Sequence, residues 1–349
     1  MTLTATRCNP QDYIDREMVE DIGFFWGKVL EAFDYRAGLK DDFEAVPGLD
    51  WDTEYFGPNV TMDERLRYVG TNLASNPDIS EANRVLNVLI THFYGGLEIH
   101  RVLNAEPDPK KAFTDFERIA AGDRGYVEEI RRNLEAAQGL GYKPWSANEL
   151  HTSIQGAAHK YVDSQGWSRH TSAVTEWLAS WVTDGTTDRI LECQTLEECV
   201  KVLTSKRGIG PYYGYHGATD QSTNPALPFH HDEAFVLAGP GATQTVVNLF
   251  PGLSKKDMHP NDRVIWVREN QEELFPNLSF NEHWHNIDND GTPTYSFAQD
   301  KLFYYTAEVA LCQYGVYCRL RGDAKLAARR KIRRFDVDGL LEQMRVPVE

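Results

Sequence analysis

Residues 195–220 read TLEECVKVLTSKRGIGPYYGYHGATD, and the glycine knot GIGP in their middle decides how the rest of the chain is read. Leu196, Val200 and Leu203 recur at helical spacing, which predicts a helix ending near Lys206. Gly208 and Gly210 permit positive φ and the close approach of another backbone. Pro211 suits the first turn of a new helix, where its missing N–H is not needed. RGIGP is therefore expected to be a tight turn between two short helices. A turn without side chains at a helix N-terminus exposes backbone N–H groups, which favour an anion such as phosphate. Lys206, Arg207, Gly208, Ile209 and Gly210 are the candidate phosphate contacts. An ordinary αα-hairpin satisfies the same spacing.

Helical periodicity runs through the remaining sequence. Within residues 80–104, Leu86, Leu89, Phe93 and Leu97 recur at three- and four-residue steps, with Asp78 and Ser80 as capping residues. Within residues 299–320, Leu302, Tyr305, Val309, Cys312, Val316 and Leu320 predict a central helix buried on one face. Further helices are expected at about 11–38, 62–75, 109–139, 147–161, 170–184 and 211–219. Period-two alternation is rare, and DRVIWVR at 262–268 is the best strand candidate. The expected fold class is mostly α with few short strands. One compact unit of two lobes spans 1–349, with residues 1–60 as an N-terminal extension or the first helices of the other lobe.

With 349 residues, 41% of them hydrophobic, the chain can bury a large core. No apolar run approaches a membrane span, and the N-terminus is polar where a signal peptide is apolar. No membrane partner and a cytoplasmic location are the expectations. The five cysteines are odd in number and form no C-x-x-C, which argues against a disulfide framework or a zinc ribbon. No metal or other cofactor is expected. A net charge of −16 argues against a generic nucleic-acid binder. The charge is uneven, however: RLRGDAKLAARRKIRR at 319–334 holds eight Lys or Arg and one Asp. It reads as a solvated basic helix face, or as a phosphate-facing strip that includes Arg330 and Arg333.

Residues 195–219 resemble the helix-hairpin-helix motif of the DNA glycosylase superfamily. That motif has a Gly-hydrophobic-Gly core, matched by Gly208-Ile209-Gly210, and a catalytic Asp at a comparable distance downstream. Asp232, 24 residues after Gly208, matches it. Tyr212 and Tyr213 stand where bifunctional members carry a lysine, so the resemblance implies no strand-cleaving lyase. DEAFVLAGPGA, followed downstream by ALCQYGVYCRLR, resembles the α-glutamyl/putrescinyl-thymine pyrophosphorylase branch of that superfamily. Leu311, Cys312, Tyr317 and Arg319 match its late motif; Gln313 and Val316 depart from it. Asn72, in RYVGTNLASNPD, corresponds to an early Asn of the branch.

The resemblance implies a two-lobed, glycosylase-like fold whose partner is double-stranded DNA carrying modified bases. The reaction it implies first is excision of a bulky modified pyrimidine, such as glucosylated hydroxymethylcytosine, in defence against phage DNA. The alternative is transfer of an amine or amino acid to an activated 5-hydroxymethyluracil with loss of pyrophosphate. Excision would extrude the nucleotide and stabilise developing sugar cation with a carboxylate. Asp232 is the candidate, with His230 and His231 setting its ionisation or touching phosphate. A helix N-cap before EAFVLAG is the plain reading of Asp232. Asn72, Tyr213, Tyr215 and Trp284 are candidates to line a base pocket, and Gly239-Pro240-Gly241 is expected to form a turn. His230, Asp232, His283 and His285 also admit an iron(II) oxygenase. A DNA-binding module without catalysis is the third class.

Overall fold

The computed structural model describes residues 9–36, 40–44, 64–96, 98–145, 152–280, 282–287, 293–299, 301–322 and 336–345. After a 3₁₀ turn at Pro10–Tyr13 come α1 (Arg16–Arg36), α2 (Glu64–Val69), α3 (Glu81–Tyr94), α4 (Ile99–Asn104), α5 (Phe116–Ala120) and α6 (Arg124–Gly139). Then follow α7 (Thr152–Ser164), α8 (Ala173–Thr183), α9 (Thr186–Leu191), α10 (Leu196–Thr204) and α11 (Pro211–Gln221). The last part holds α12 (Pro240–Leu249), α13 (Pro260–Glu269), α14 (Gln271–Leu274), β1 (Glu282–Ile287), β2 (Pro293–Gln299), α15 (Tyr304–Gly322) and α16 (Val337–Arg345). The strands pair in a two-stranded sheet. The protein is mostly α, as its periodicity predicts.

The chain divides into two compact units. The first comprises Met1–Asp63, His231–His285 and Ser296–Arg333; the second comprises Glu64–His230, Asn286–Tyr295 and Arg334–Glu349.

In the first unit the core forms where α1, α12, α13 and α15 bury their apolar faces. Trp26 of α1 has no exposed surface, and its indole N–H donates to the Ala310 carbonyl at 3.4 Å. Phe25 stacks on Tyr317 with centroids 4.8 Å apart. Helices α12 and α15 meet through small residues: a Cβ on Gly241 would press on the Cys312 Sγ, and one on Gly315 would lie 2.8 Å from the Thr245 Oγ1. The Gly-Pro-Gly segment and the late Leu-Cys motif are therefore packing partners. The segment is a helix start, not the expected turn, with Gly239 at the N-cap and Pro240 in the first turn.

The second unit is built around α3. Ser80 caps it, accepting from the Asn83 N–H, and Gly95 ends it at φ 71°. Leu86, Leu89 and Phe93 are fully buried, as their spacing predicts. So are Asn87, Thr91 and His92, which that spacing did not announce. Asn87 explains its own burial: its amide accepts from the Thr114 N–H and donates to the Thr114 carbonyl, both at 2.7 Å. The expected helix over 109–139 is broken into α5 and α6. Asp115 and Asp123 cap the two pieces, and Gly122 takes φ 90° between them.

The strand expected at 262–268 is instead part of α13. Pro260 opens that helix, and the His259 side chain accepts from the Asn261 N–H at its cap. Arg263, Val264, Val267 and Arg268 are the buried positions, a helical and not an alternating pattern. Arg263 is fully buried because its guanidinium donates to the carbonyls of Met258, Leu253 and Ser254 at 3.1, 2.8 and 2.9 Å.

Glu308 of α15 is buried and accepts the Gly239 N–H at 2.9 Å. Burial pushes its carboxyl up to about 7, against the opposing Gly239 hydrogen bond. The folded protein then holds a proton that the unfolded chain releases near 4.5. Stability from this group is complete below that value and is lost as pH rises through about 7. Glu308→Gln keeps the acceptor and cannot ionise. Relative to wild type, the variant is expected to gain about 2 kcal/mol between pH 5 and pH 8. Denaturant midpoints at both values check this; the same wild-type-to-variant difference at each would refute it.

Candidate functional site

The turn between α10 and α11 has the predicted form. Thr195 caps α10 by accepting from the Glu198 N–H at 3.2 Å, and Pro211 is the first residue of α11. Gly208 takes φ 89°, and a Cβ there would lie 2.7 Å from both the Ser153 carbonyl oxygen and the Ala157 Cβ. The glycine is thus required by the packing of α7 under the turn. Gly210 differs from its sequence reading. Its φ is −84°, so no positive φ is needed, and nothing lies within 4 Å of a Cβ built on it. Ile209 points inward and is 5% exposed.

The two cations beside the turn have different fates. Lys206 donates to Asp184 at 2.6 Å and to Thr186 at 2.9 Å, and lies 5.1 Å from the centre of the Trp181 ring. Burial works against ionisation of Asp184, but the Lys206 and Thr186 hydrogen bonds hold its carboxyl below its ordinary value. Lys206 is therefore a strut of the fold. Arg207 is exposed and makes no ion pair among the described residues.

Asp232 belongs to the first unit and caps no helix. Residues 231–234 form turns and a bend, and the chain stays irregular up to α12. Its carboxylate is bound by Arg268 of α13, whose Nη2 lies 2.8 and 2.7 Å from the two oxygens. Arg268 also donates to the Leu302 carbonyl at 3.0 Å and stacks over the Tyr304 ring at 4.3 Å. The Asp232 side chain keeps 30% of its surface exposed. His231 is buried and stacked on Phe303, with centroids 6.4 Å apart, while His230 is exposed and falls in the second unit. The expected histidine partners are thus replaced by an arginine. A guanidinium at hydrogen-bond distance also opposes metal binding by Asp232, which weakens the iron(II) reading.

Asn72 sits in a π-helical turn, Gly70–Ala74, that continues α2, and its amide donates to the Tyr68 carbonyl at 3.1 Å. Trp284, His283 and His285 lie on β1, with side chains outside the described residues. Arg330 and Arg333 fall outside them altogether. Tyr213 and Tyr215 are buried, at 7% and 0% exposure.

The structure also assembles a group that the sequence reading missed. Tyr212, His216 and Asp220 stand one turn apart on a single face of α11. Tyr212 stacks obliquely on His216, centroids 4.4 Å apart, and His216 lies parallel to His92 at 5.8 Å. Tyr213 meets His92 edge-on at 5.6 Å. Asp220 has no exposed surface; its oxygens lie 3.2 and 3.3 Å from the Arg65 Nε and 3.5 Å from the His92 Nδ1. Burial, with the Arg65 charge added, drives His216 down to about 3, so its ring is neutral. The i, i+4, i+8 spacing of Tyr212, His216 and Asp220 was the available signal. His92 and Arg65 come from far earlier in the chain and gave none.

The described residues thus form a mostly helical protein with a tight hairpin turn between α10 and α11 and buried polar clusters on α11 and α13. The family model described as "5-hmdU DNA kinase, helical domain" matches residues 61–325, and the chain belongs to that family. No curated protein and no solved structure matches the chain. Among the described residues, no helix is long and apolar enough to cross a membrane.

Lys206→Ala is expected to cost about 1 kcal/mol, and Gly208→Ala at least ~1–2 kcal/mol through its left-handed backbone, before the clash is counted. Arg207→Ala and Gly210→Ala are expected to leave the melting temperature near wild type. Thermal denaturation of the four variants checks the division, and a large loss in Gly210→Ala would contradict it.

Proposed function

We propose that this chain acts on DNA containing a 5-hydroxymethylpyrimidine, with 5-hydroxymethyluracil as the first choice. It holds the backbone at the α10–α11 turn and takes the modified nucleotide out of the stack for reaction at its hydroxymethyl group. The observation that carries this reading is the family match over 61–325, which includes the hairpin, Asp232 and α15. A 5-substituent lies in the major groove, but reaction in a shielded site requires extrusion of the nucleotide. In phosphoryl transfer most of the catalysis is positioning and charge stabilisation. These 349 residues contain no G-x-x-x-x-G-K-[ST] phosphate loop. The helical chain is accordingly read as the part that binds DNA and presents the base. Hypermodified phage DNA is the natural source of such bases.

Excision is the second reading, and one observation favours it: Asp232 keeps an exposed edge 24 residues beyond Gly208. Its carboxylate would stabilise the sugar cation while water attacks the anomeric carbon. Arg268 would have to share the carboxylate during that step.

The experiment measures binding to duplexes with a single thymine, 5-hydroxymethyluracil or glucosylated hydroxymethylcytosine, with mass spectrometry of the products. The expected result is tighter binding of the 5-hydroxymethyluracil duplex than of the thymine duplex, with the base still attached. Arg207→Ala should weaken all duplexes alike and reduce the salt slope by about one. Equal affinity for thymine and 5-hydroxymethyluracil would refute the reading. Free modified base from wild type, absent with Asp232→Asn, would establish excision instead.

A further inference from the structure

Two cysteines meet in the second unit. Cys193 lies in the short link between α9 and α10, and Cys199 stands near the start of α10. Both are free thiols, and both are buried, at 4% and 0% exposure. The Cys199 S–H donates to the Cys193 sulfur. The Cys193 S–H in turn donates to the Arg189 carbonyl at 3.2 Å.

Buried thiols in apolar surroundings are usually inert. This pair differs in three ways. The sulfurs are already in hydrogen-bond contact, so a disulfide of about 2.05 Å has only the remaining gap to close. The pair is also unequal. The hydrogen bond from Cys199 holds the Cys193 thiol below its ordinary value, against burial and the Glu198 and Glu192 charges. The same bond, with burial, pushes Cys199 well up. One sulfur is the easier thiolate, and the other keeps its proton. Finally, the easier thiolate is the one in the link, with a small exposed edge that an oxidant the size of a water pair can reach.

We infer that Cys193 and Cys199 form a redox modification site, a dithiol that a peroxide closes into a disulfide within the folded protein. The Cys193 thiolate attacks one peroxide oxygen. The O–O bond breaks, and hydroxide leaves as water with the proton that the thiol gave up. Cys193 is then a sulfenic acid. The Cys199 sulfur attacks it, the S–S bond forms, and the hydroxyl departs as water with the Cys199 proton. The two thiols give up two electrons in all, and the peroxide takes both. A thiol reductant reverses the step.

The new bond falls at one end of the α9–α10 pair. The other end is already tied, since Lys206, just past α10, binds Asp184 and Thr186 at the start of α9. Oxidation therefore holds at both ends the helix that leads into the Gly208 turn. The inference does not depend on the function proposed above.

The test uses the full chain. Trypsin cuts after Arg189 and Lys201, so both sulfurs fall in one peptide, residues 190–201, apart from Cys8, Cys312 and Cys318. Folded protein is treated with hydrogen peroxide, blocked with iodoacetamide and digested without reductant. The peptide is expected to be lighter by two hydrogen atoms and unblocked, and dithiothreitol should restore both thiols. The oxidised form is expected to melt above the reduced form. Cys199→Ser removes the second sulfur, so dimedone should then label Cys193 as sulfenic acid. If that variant fails to fold, the wild-type peptide still decides. Intact thiols in 190–201 of the treated folded protein, or a disulfide that forms only in urea, overturns the inference. An oxidised form that melts with the reduced one overturns the staple and leaves the modification site standing.

Discussion

A carboxylate with no exposed surface sets the terms for the second unit. Arg65 and His92 face its oxygens at 3.2 and 3.5 Å, and each comes from a different helix. Breaking a buried pair by removing one member typically costs about 3–5 kcal/mol, because the other charge is left uncompensated. Helices α2, α3 and α11 are therefore tied by a contact that none can leave alone. The π-helical turn that continues α2 at Gly70–Ala74 lies just beyond Arg65. Irregular winding of this kind is often found at functional sites.

The first unit solves a similar problem with arginines. Arg263 has no exposed surface and spends its donors on the carbonyls of the loop before α13. Arg268 joins Asp232 to α13 and to the Leu302 carbonyl that precedes α15. Asp232 is thus the anchor of the irregular segment running to α12, a role that explains its partner without invoking chemistry. A carboxylate has about four lone-pair positions, and anchoring by one nitrogen leaves others available at its exposed edge. Of the two neighbouring histidines, His231 is buried against Phe303 and His230 is exposed.

Local signals were the legible ones. Pro211 and Ser80 act where the sequence predicts, because caps and first-turn prolines depend on neighbouring residues alone. The apolar positions of α3 and α15 were legible for the same reason, but not the extent of burial: residues 302–311 are buried on every side of α15, where its stripe announced one face. Misreadings arose where partners distant in sequence decide. Residues 262–268 read as a strand, yet Pro260 and the His259 cap start a helix there whose buried positions are Arg263, Val264, Val267 and Arg268. Lys206 looked available until Asp184 and Trp181 closed on it. Asp220 lies within the stretch that decides the fold, but its environment depends on Arg65 and His92, more than a hundred residues upstream. In the candidate site, Gly208 was read correctly; Gly210 was not, since its φ is −84° and nothing lies within 4 Å of a Cβ built on it.

Charge counting needs the same correction. The net charge of −16 treats every cation as equally available. Lys206, Arg65, Arg263 and Arg268 are all committed inside the protein. The hairpin's cationic contribution then falls to Arg207, beside backbone N–H groups at the start of α11. In the proposed function every cation that meets a phosphate adds affinity and salt dependence without reading the base. Discrimination must come from the base itself, by stacking and by hydrogen bonds. A substrate that differs from thymidine by one hydroxyl demands such reading, since non-specific binding would bury the small free-energy difference on which recognition depends.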